Sequence, residues 1–326
     1  MDSFIFAVSA VLPLIIVVLV GYLLSRSGII PDGTSRVLNK MVFRAFLPCM
    51  LFLNIYKIES IGDIDFGYIV YAIVALLIVY AIALPVVMAV SSDGARRGVL
   101  LQSVFRSNFA LIGIPLAISL CGQEGAIIAA VLSGFAIPVF NALAVVSLSV
   151  FRGGENRVNV KRILLDILKN PLIQSVFIGF VALAVRAIFI QSGITWRLTD
   201  MTPVYTSLES LSSVATPLAL VSLGAQFKFS AIGRMKRELI FAVLTRIVIV
   251  PLSLITVAYL FFDFEASHFA SFVALFATPV AVSSVPMAQE MGADSELAGQ
   301  IVVWSTALSG VTIFLFTLVL KALGVF

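Results

Sequence analysis

Charge is scarce in this chain of 326 residues. Asp, Glu, Lys and Arg supply 12% of it, about half of the roughly 25% usual in soluble globular domains. Together with a hydrophobic share of 61% and a mean hydropathy of +1.13, that shortage excludes a water-soluble fold. Histidine occurs once, as His268, which removes metal sites built on paired histidines and histidine-based triads. The two cysteines, Cys49 and Cys121, fall in separate apolar stretches; nothing sets them within bridging distance, and they read as buried apolar thiols. No glycine loop ending in Lys and Ser or Thr is present, so the chain does not energise itself with ATP. These absences leave no cofactor and no enzyme chemistry to assign.

What remains is ten apolar stretches. A bilayer core of about 30 Å takes about 20 helical residues, and stretches of that order lie near 4–24, 37–56, 67–90, 98–120, 125–151, 171–191, 205–225, 238–261, 268–289 and 297–321. The spacing predicts an all-α polytopic membrane protein with ten transmembrane helices and no attached soluble domain, its longest gap running from Arg152 to Asn170. The first stretch follows Met1-Asp2-Ser3 without a basic leader and outlasts the apolar core of a signal peptide, so it counts as a span.

Every second gap is basic. Arg26, Arg36, Lys40, Arg44, Arg96, Arg97, Arg152, Arg157, Lys161, Arg162, Lys169, Lys228, Arg234, Lys236 and Arg237 follow spans 1, 3, 5 and 7 and make up 15 of the 21 basic residues. The remaining outer gaps and the termini hold Lys57, Arg197 and Lys321. The positive-inside rule therefore predicts the basic gaps on the cytoplasmic side and both termini on the other. The gap after span 9, with Glu290, Asp294 and Glu296, is the one expected cytoplasmic loop without a basic residue. This asymmetry accounts for the net charge of +4, which gives no reason to infer a nucleic-acid partner.

Five spans precede the central loop and five follow it, so related halves have to be inverted. Span 1 reads Pro13-Leu14-Ile15, Gly21-Tyr22 and Ser27-Gly28-Ile29; span 6 reads Pro171-Leu172-Ile173, Gly179-Phe180 and Ser192-Gly193-Ile194. Further pairs are Pro48 with Pro217, Pro85 with Pro251, and Pro115 with Pro286. The expected organisation is a first five-helix repeat over 1–151, a cytoplasmic linker over 152–170 and a second, inverted repeat over 171–326. Inverted repeats give secondary transporters two mirror-related states, with substrate held near the midplane where helices break.

Spans 4 and 9 carry the break signals. Span 4 contains Asn108-Phe109-Ala110-Leu111-Ile112-Gly113-Ile114-Pro115, and span 9 contains Thr278-Pro279-Val280-Ala281-Val282-Ser283-Ser284-Val285-Pro286. Proline removes a backbone donor and glycine permits unusual geometry, and the freed backbone groups have to line a protein-buried cavity because they cannot face lipid. Half-helix N-termini there present partial positive charge to an anion, and Asn108, Ser283 and Ser284 can donate to a carboxylate.

At these residues the chain resembles the auxin efflux carrier family, whose members include plant auxin exporters and bacterial carriers described as malate or malonate permeases. The resemblance is carried by Gly21-Tyr22-Leu23-Leu24 with Gly28-Ile29-Ile30, Leu38-Asn39-Lys40-Met41-Val42-Phe43 leading to Leu47-Pro48, and Asn108 to Gly113-Ile114-Pro115. Pro217-Leu218-Ala219-Leu220, Ser222-Leu223-Gly224-Ala225, and Pro279 with Ala288 and Gly292 complete it. It implies a scaffold of spans 1, 2, 6 and 7, a mobile part of spans 3–5 and 8–10, crossing of spans 4 and 9, elevator-like movement and a homodimer through the scaffold. Asn108 matches the family's crossover asparagine, Gly113 and Pro115 the break beside it, and Pro279 the break in span 9. Where many relatives carry an asparagine four residues after that proline, this chain has Ser283, and Pro286 adds a second proline. The short central loop is similar to bacterial members, which implies a bacterial inner membrane.

Charges inside spans cost about 2.5–3.5 kcal/mol on insertion scales and count as functional candidates. Arg246 reads equally as an attractor of an organic anion or as a group holding the transport part together. Arg106 is the weaker candidate, because a continuous helix advancing about 100° per residue points it away from Asn108. Arg186 reads as interfacial, and Asn54, Asn141 and Gln174 as interhelical hydrogen-bonding groups. No carboxylate falls at midmembrane. Glu59, Asp63, Asp65, Glu124, Asp263 and Glu265 belong to outer loops or span ends, Glu209 to the start of span 7, and Glu290 to the cytoplasmic rim. That counts against a buried acidic proton relay. The sequence reads as a secondary carrier of small organic anions, with the substrate met by Asn108, Gly113, Ile114, Pro115, Thr278, Pro279, Ser283, Ser284 and Arg246. Uniport, proton coupling and sodium coupling stay open. A nontransporting sensor on a carrier fold and a cation/proton antiporter are the alternatives, the latter disfavoured by the missing midmembrane acid.

Overall fold

A computed structural model describes residues 2–31, 33–58, 66–151 and 160–326, setting aside the side chains of residues 2–8, Ala10, Val160, Arg162, Ile163 and Asp166. Glu59, Asp63, Asp65, Arg152 and Arg157, and with them residues 152–159 of the expected linker, lie outside the described residues. Among those described there are helices and no strand, the outcome expected where lipid offers backbone groups no partner. The α-helices are α1 (Asp2–Arg26), α2 (Thr34–Met41), α3 (Leu47–Tyr56), α4 (Phe66–Val90), α5 (Gly94–Phe105), α6 (Ile114–Val150) and α7 (Val160–Lys169). They continue as α8 (Pro171–Gln191), α9 (Thr202–Gln226), α10 (Lys236–Leu244), α11 (Val250–Phe261), α12 (Ala266–Phe272), α13 (Ser284–Glu290) and α14 (Ser295–Ala322). Seven helical stretches among the described residues are long and apolar enough to cross a membrane: Thr34–Tyr56, Phe66–Val90, Phe109–Val150, Pro171–Gln191, Thr202–Gln226, Phe229–Phe261 and Ser295–Ala322. Val11–Arg26, the part of α1 whose side chains are all described, and Ala266–Ala277 are shorter apolar stretches.

Four widened, π-helical turns interrupt this set, at Val42–Phe46, Phe109–Gly113, Thr245–Ile249 and Val273–Ala277. Each ends two residues before a proline: Pro48, Pro115, Pro251 and Pro279. A proline has no N–H for the carbonyl four residues back, and its ring presses on that carbonyl; a wider preceding turn relieves the clash. Helix α6 has a different interruption. At 37 residues and about 1.5 Å per residue it is far longer than one bilayer crossing. It is divided by Cys121 (φ −132, ψ 20) and Gly122 (φ 56, ψ −136), the second in a region that favours glycine. This division falls between the fourth and fifth stretches expected from the sequence.

Residues 160–169, expected as part of the cytoplasmic linker, form α7. The helix exposes Leu164, Leu165 and Leu168 beside Lys161 and Lys169, an amphipathic pattern suited to a membrane surface. Asn170 then caps α8, its Oδ1 accepting the Leu172 N–H at 2.9 Å, with Pro171 in the first turn.

Helix α1 packs along α9, while α3 packs on α8 and α9. The α1–α9 seam is backbone on backbone: Gly21 lies on the Val221 carbonyl and Gly224 on the Val18 carbonyl, and a methyl group at either glycine would overlap the facing chain. Small residues let membrane helices approach in this way. Helices α5 and α12 both pack on α6, and α14 lies against α1 as well as α13, α5 and α10.

Ion pairs collect on one face. Arg44 meets Glu290 at 3.2 Å, Arg96 meets Glu238 at 3.0 Å and Asp294 at 3.2 Å, and Arg234 meets Glu296 at 3.5 Å. The acidic loop that breaks the charge pattern thus shares a face with three of the basic loops and offers them carboxylates. Elsewhere, Lys57 pairs with Glu209 at 2.8 Å, which raises the lysine's affinity for its proton. Arg186 donates to the Tyr56 and Ile58 carbonyls and so caps the end of α3.

The α1–α9 seam yields a test. Gly224→Val forces α9 away from α1, and overpacking of this kind costs about 1–3 kcal/mol; the unfolding midpoint in detergent should drop, while Leu252→Ala at an exposed position should leave it nearly unchanged.

Candidate substrate site at a helix crossing

Two helices stop inside the protein and meet. Helix α5 ends at Phe105, Arg106 is extended (φ −79, ψ 111), and a new helix begins with the π turn at Phe109. On the other side α12 and its π turn end at Ala277, Thr278 is extended (φ −73, ψ 153), and α13 begins at Ser284. The two unwound segments pair antiparallel through Ser107 and Val280, and the Asn108 N–H donates to the Pro279 carbonyl at 2.8 Å. Backbone groups released by the breaks thereby satisfy one another away from lipid. Gly113 permits the close approach, since a methyl there would sit 2.7 Å from the Ala274 carbonyl oxygen.

A cavity of about 60 Å³ lies on the crossing, bordered by Arg106, Ser107, Asn108, Asn141 and Ser283, with Asn54 from α3. Asn108 Nδ2 and Ser107 Oγ are buried there without a hydrogen-bond partner. The helix starting at Phe109 opens beside the same space, which Phe109 and Ala110 help to line, and its first backbone bonds are those from Ile112 and Gly113 to the Asn108 carbonyl. A wider cavity of about 520 Å³, lined by Asn54, Lys57, Ala110, Ile114 and Ile137, adjoins it on the Lys57 side. The two share Asn54, Ala110 and Ile137.

Arg106 is 3% exposed. Its guanidinium donates to Asn141 Oδ1 at 2.8 Å, Ser283 Oγ at 3.0 Å, Met287 Sδ at 2.8 Å and Gln102 Oε1 at 3.4 Å. All four acceptors are neutral, and among the described residues no carboxylate pairs with it. An isolated buried charge costs several kcal/mol, so this cation is held by polar contacts and lacks a counter-charge. The expectation that Arg106 points away from Asn108 rested on a continuous helix; the helix stops one residue before Arg106, and both residues border the cavity. The break precedes Asn108 instead of following it, and Pro115 acts through the π turn.

Arg246 is fully buried and faces away from the cavity. Its Nε donates to the Thr278 carbonyl at 3.0 Å, one terminal nitrogen to Val104 and Phe105 at 3.3 and 3.1 Å, and the other to Leu275 at 2.8 Å. Thr278 donates its hydroxyl to the Ala274 carbonyl at 2.8 Å and is fully buried behind the crossing. Ser284 is buried there too, its carbonyl accepting from Gln102 at 3.4 Å. Of the residues singled out in the sequence, Asn108 and Ser283 border the crossing cavity and Ile114 the wider one, while Gly113, Pro115, Thr278, Pro279, Ser284 and Arg246 shape the crossing around them. Asn54 and Asn141 are additions; their only sequence signal was an amide in an apolar stretch. Glu290 sits at the rim in its pair with Arg44, and Gln174 caps α7 through the Leu168 carbonyl.

Seven apolar helical stretches of membrane length among the described residues make this an integral membrane protein. The chain belongs to the family described as "Membrane transport protein", the auxin efflux carrier family, which matches it over residues 6–159 and 155–317. It is also similar to a protein described as an "Uncharacterized transporter" from Methanothermobacter thermautotrophicus, at 24% identity over 311 residues, 95% of this chain and 97% of that one.

The antiparallel pairing is open to direct test. Ladder partners have Cα atoms about 4.5–5.5 Å apart, within disulfide reach; Ser107→Cys with Val280→Cys, on a background carrying Cys49→Ala and Cys121→Ala, should cross-link on mild oxidation. Mass spectrometry of the digest should recover the linked peptides, and their absence from oxidised folded protein would contradict the crossing.

Proposed function

We propose that the chain is a secondary carrier of small organic anions such as carboxylates, working by alternating access with substrate held at the helix crossing. The observation that carries this reading is Arg106, a buried cation without a counter-charge among the described residues, at a cavity that also holds the unpartnered side-chain nitrogen of Asn108. A carboxylate entering there exchanges the neutral acceptors of Arg106 for a charged one and takes donors from Asn108, Ser107 and Ser283. Pro279, Gly113 and Pro115 set the backbone geometry that aims these groups, and Thr278, Ser284 and Arg246 hold it from behind. At about 60 Å³ the space is small beside ligand pockets of about 300–1,000 Å³, so substrate enters through a rearrangement from the wider cavity.

In this reading ten spans form two inverted repeats over 1–151 and 171–326, joined by the linker over 152–170. Support comes from the paired prolines and from the divided α6, which supplies the end of the fourth span and the whole of the fifth. Helices α1, α2–α3, α8 and α9 form the scaffold and dimer surface, and the remaining helices travel in an elevator-like movement; the glycine seam between α1 and α9 favours that division. The face that gathers the ion pairs is cytoplasmic, both termini are on the opposite side, and the membrane is a bacterial inner membrane. A cation/proton antiporter calls for an acid at the crossing, and the described residues bring none there.

The test is uptake of labelled malate, malonate and an aromatic acetate into proteoliposomes, with membrane potential, proton and sodium gradients imposed separately. Saturable uptake is expected for at least one anion. A hydrogen bond to a charged group contributes about 1.5–3 kcal/mol, so Arg106→Gln should raise KM about 10- to 100-fold, and Asn108→Ala should weaken uptake by less. An unaltered KM in Arg106→Gln would remove the arginine from the substrate site.

A further inference from the structure

The carbonyl ends of broken helices are where crossed-helix carriers hold a coupling cation, since each end gathers partial negative charge. Here those ends are taken. Val104 and Phe105 are the last residues of α5, while Leu275 and Thr278 close the opposing helix, and all four carbonyls accept hydrogen bonds from the one guanidinium of Arg246. Four of the five N–H donors of the side chain are spent in this way. No acidic side chain pairs with Arg246 among the described residues, so its charge is met by the two C-terminal dipoles. It stands on the π turn Thr245–Ile249, whose widened ladder is set by Pro251, and is therefore fixed to a third helix.

We propose that Arg246 is a resident cation, occupying the place where a sodium ion would meet the carbonyl ends of both broken helices, so that transport through this crossing is not sodium-coupled. Its bearing on coupling rests on the carrier reading; the geometry does not. A fixed guanidinium neutralises the same carbonyls in every state, ties the two half-helices to the helix that bears it, and makes the crossing move as one piece. It is a positioning residue, acting on substrate only through the segments that carry Arg106, Asn108 and Ser283.

The experiment compares unfolding midpoints of purified protein in sodium, potassium and choline chloride at equal ionic strength. The wild-type protein is expected to unfold at the same temperature in all three. Arg246→Met keeps the bulk and removes the cation; it is expected to unfold earlier and to be restored selectively by sodium or by millimolar guanidinium. A saturable, sodium-specific stabilisation of the wild type overturns the proposal, as does a folded Arg246→Met that responds to neither cation. Should Arg246→Met fail to fold, Arg246→Lys decides: an ammonium that rescues folding and stays indifferent to sodium supports the resident cation, and one that rescues nothing, or that binds sodium, contradicts it. In proteoliposomes at clamped potential an inward sodium gradient is expected to leave wild-type anion uptake unaltered, and a severalfold acceleration overturns the proposal. Absence of any anion uptake would sink the carrier reading instead and leave the unfolding comparison to judge Arg246.

Discussion

Inside an apolar slab a helix cannot simply stop, because its last carbonyls lose their partners and lipid supplies none. Two helices stop here beside each other, and the structure meets the cost by turning both ends onto Arg246 and by pairing the unwound segments through Ser107 and Val280. The surrounding features depend on that arrangement. Pro279 breaks the backbone where its carbonyl can accept from Asn108, Gly113 lets the Ala274 carbonyl come close, and the π turn before Pro251 carries the arginine. Removing the cation from this set leaves several acceptors orphaned at once, each costing about 1–3 kcal/mol.

The two buried arginines divide the electrostatics. Arg246 spends its donors on backbone and does not line the crossing cavity, whereas Arg106 is held by Asn141, Ser283, Gln102 and Met287, which are all neutral. A neutral acceptor holds a guanidinium in place but leaves its field uncancelled at low dielectric. The two arginines thus differ in what meets their charge: backbone carbonyls at the helix ends for Arg246, neutral side chains beside the cavity for Arg106.

The positions of the helices were largely legible, because a bilayer constrains length and apolarity more strongly than water does. Pro279 stands just after one helix end, and Asn108 just before another helix start. The direction of Arg106 differs from that of a continuous helix because the residue is extended; the break starts before the Gly113-Ile114-Pro115 signal that announces it. No periodicity could have told that Arg246 addresses four carbonyls, since acceptors supplied by main chain leave no trace in side-chain identity. Helix α7 escaped notice for a simpler reason: ten residues with mixed charges between two spans resemble a connecting loop until the exposed leucines are seen on one side.

The glycine seam between α1 and α9 has a mechanical meaning. Long side chains can change rotamer and let neighbouring helices slide, but Gly21 and Gly224 rest directly on the facing carbonyl groups and have nothing to rearrange. Such a joint resists shear the way two keyed stones do. Movement between helices is therefore easier where rotatable side chains separate them than along this seam.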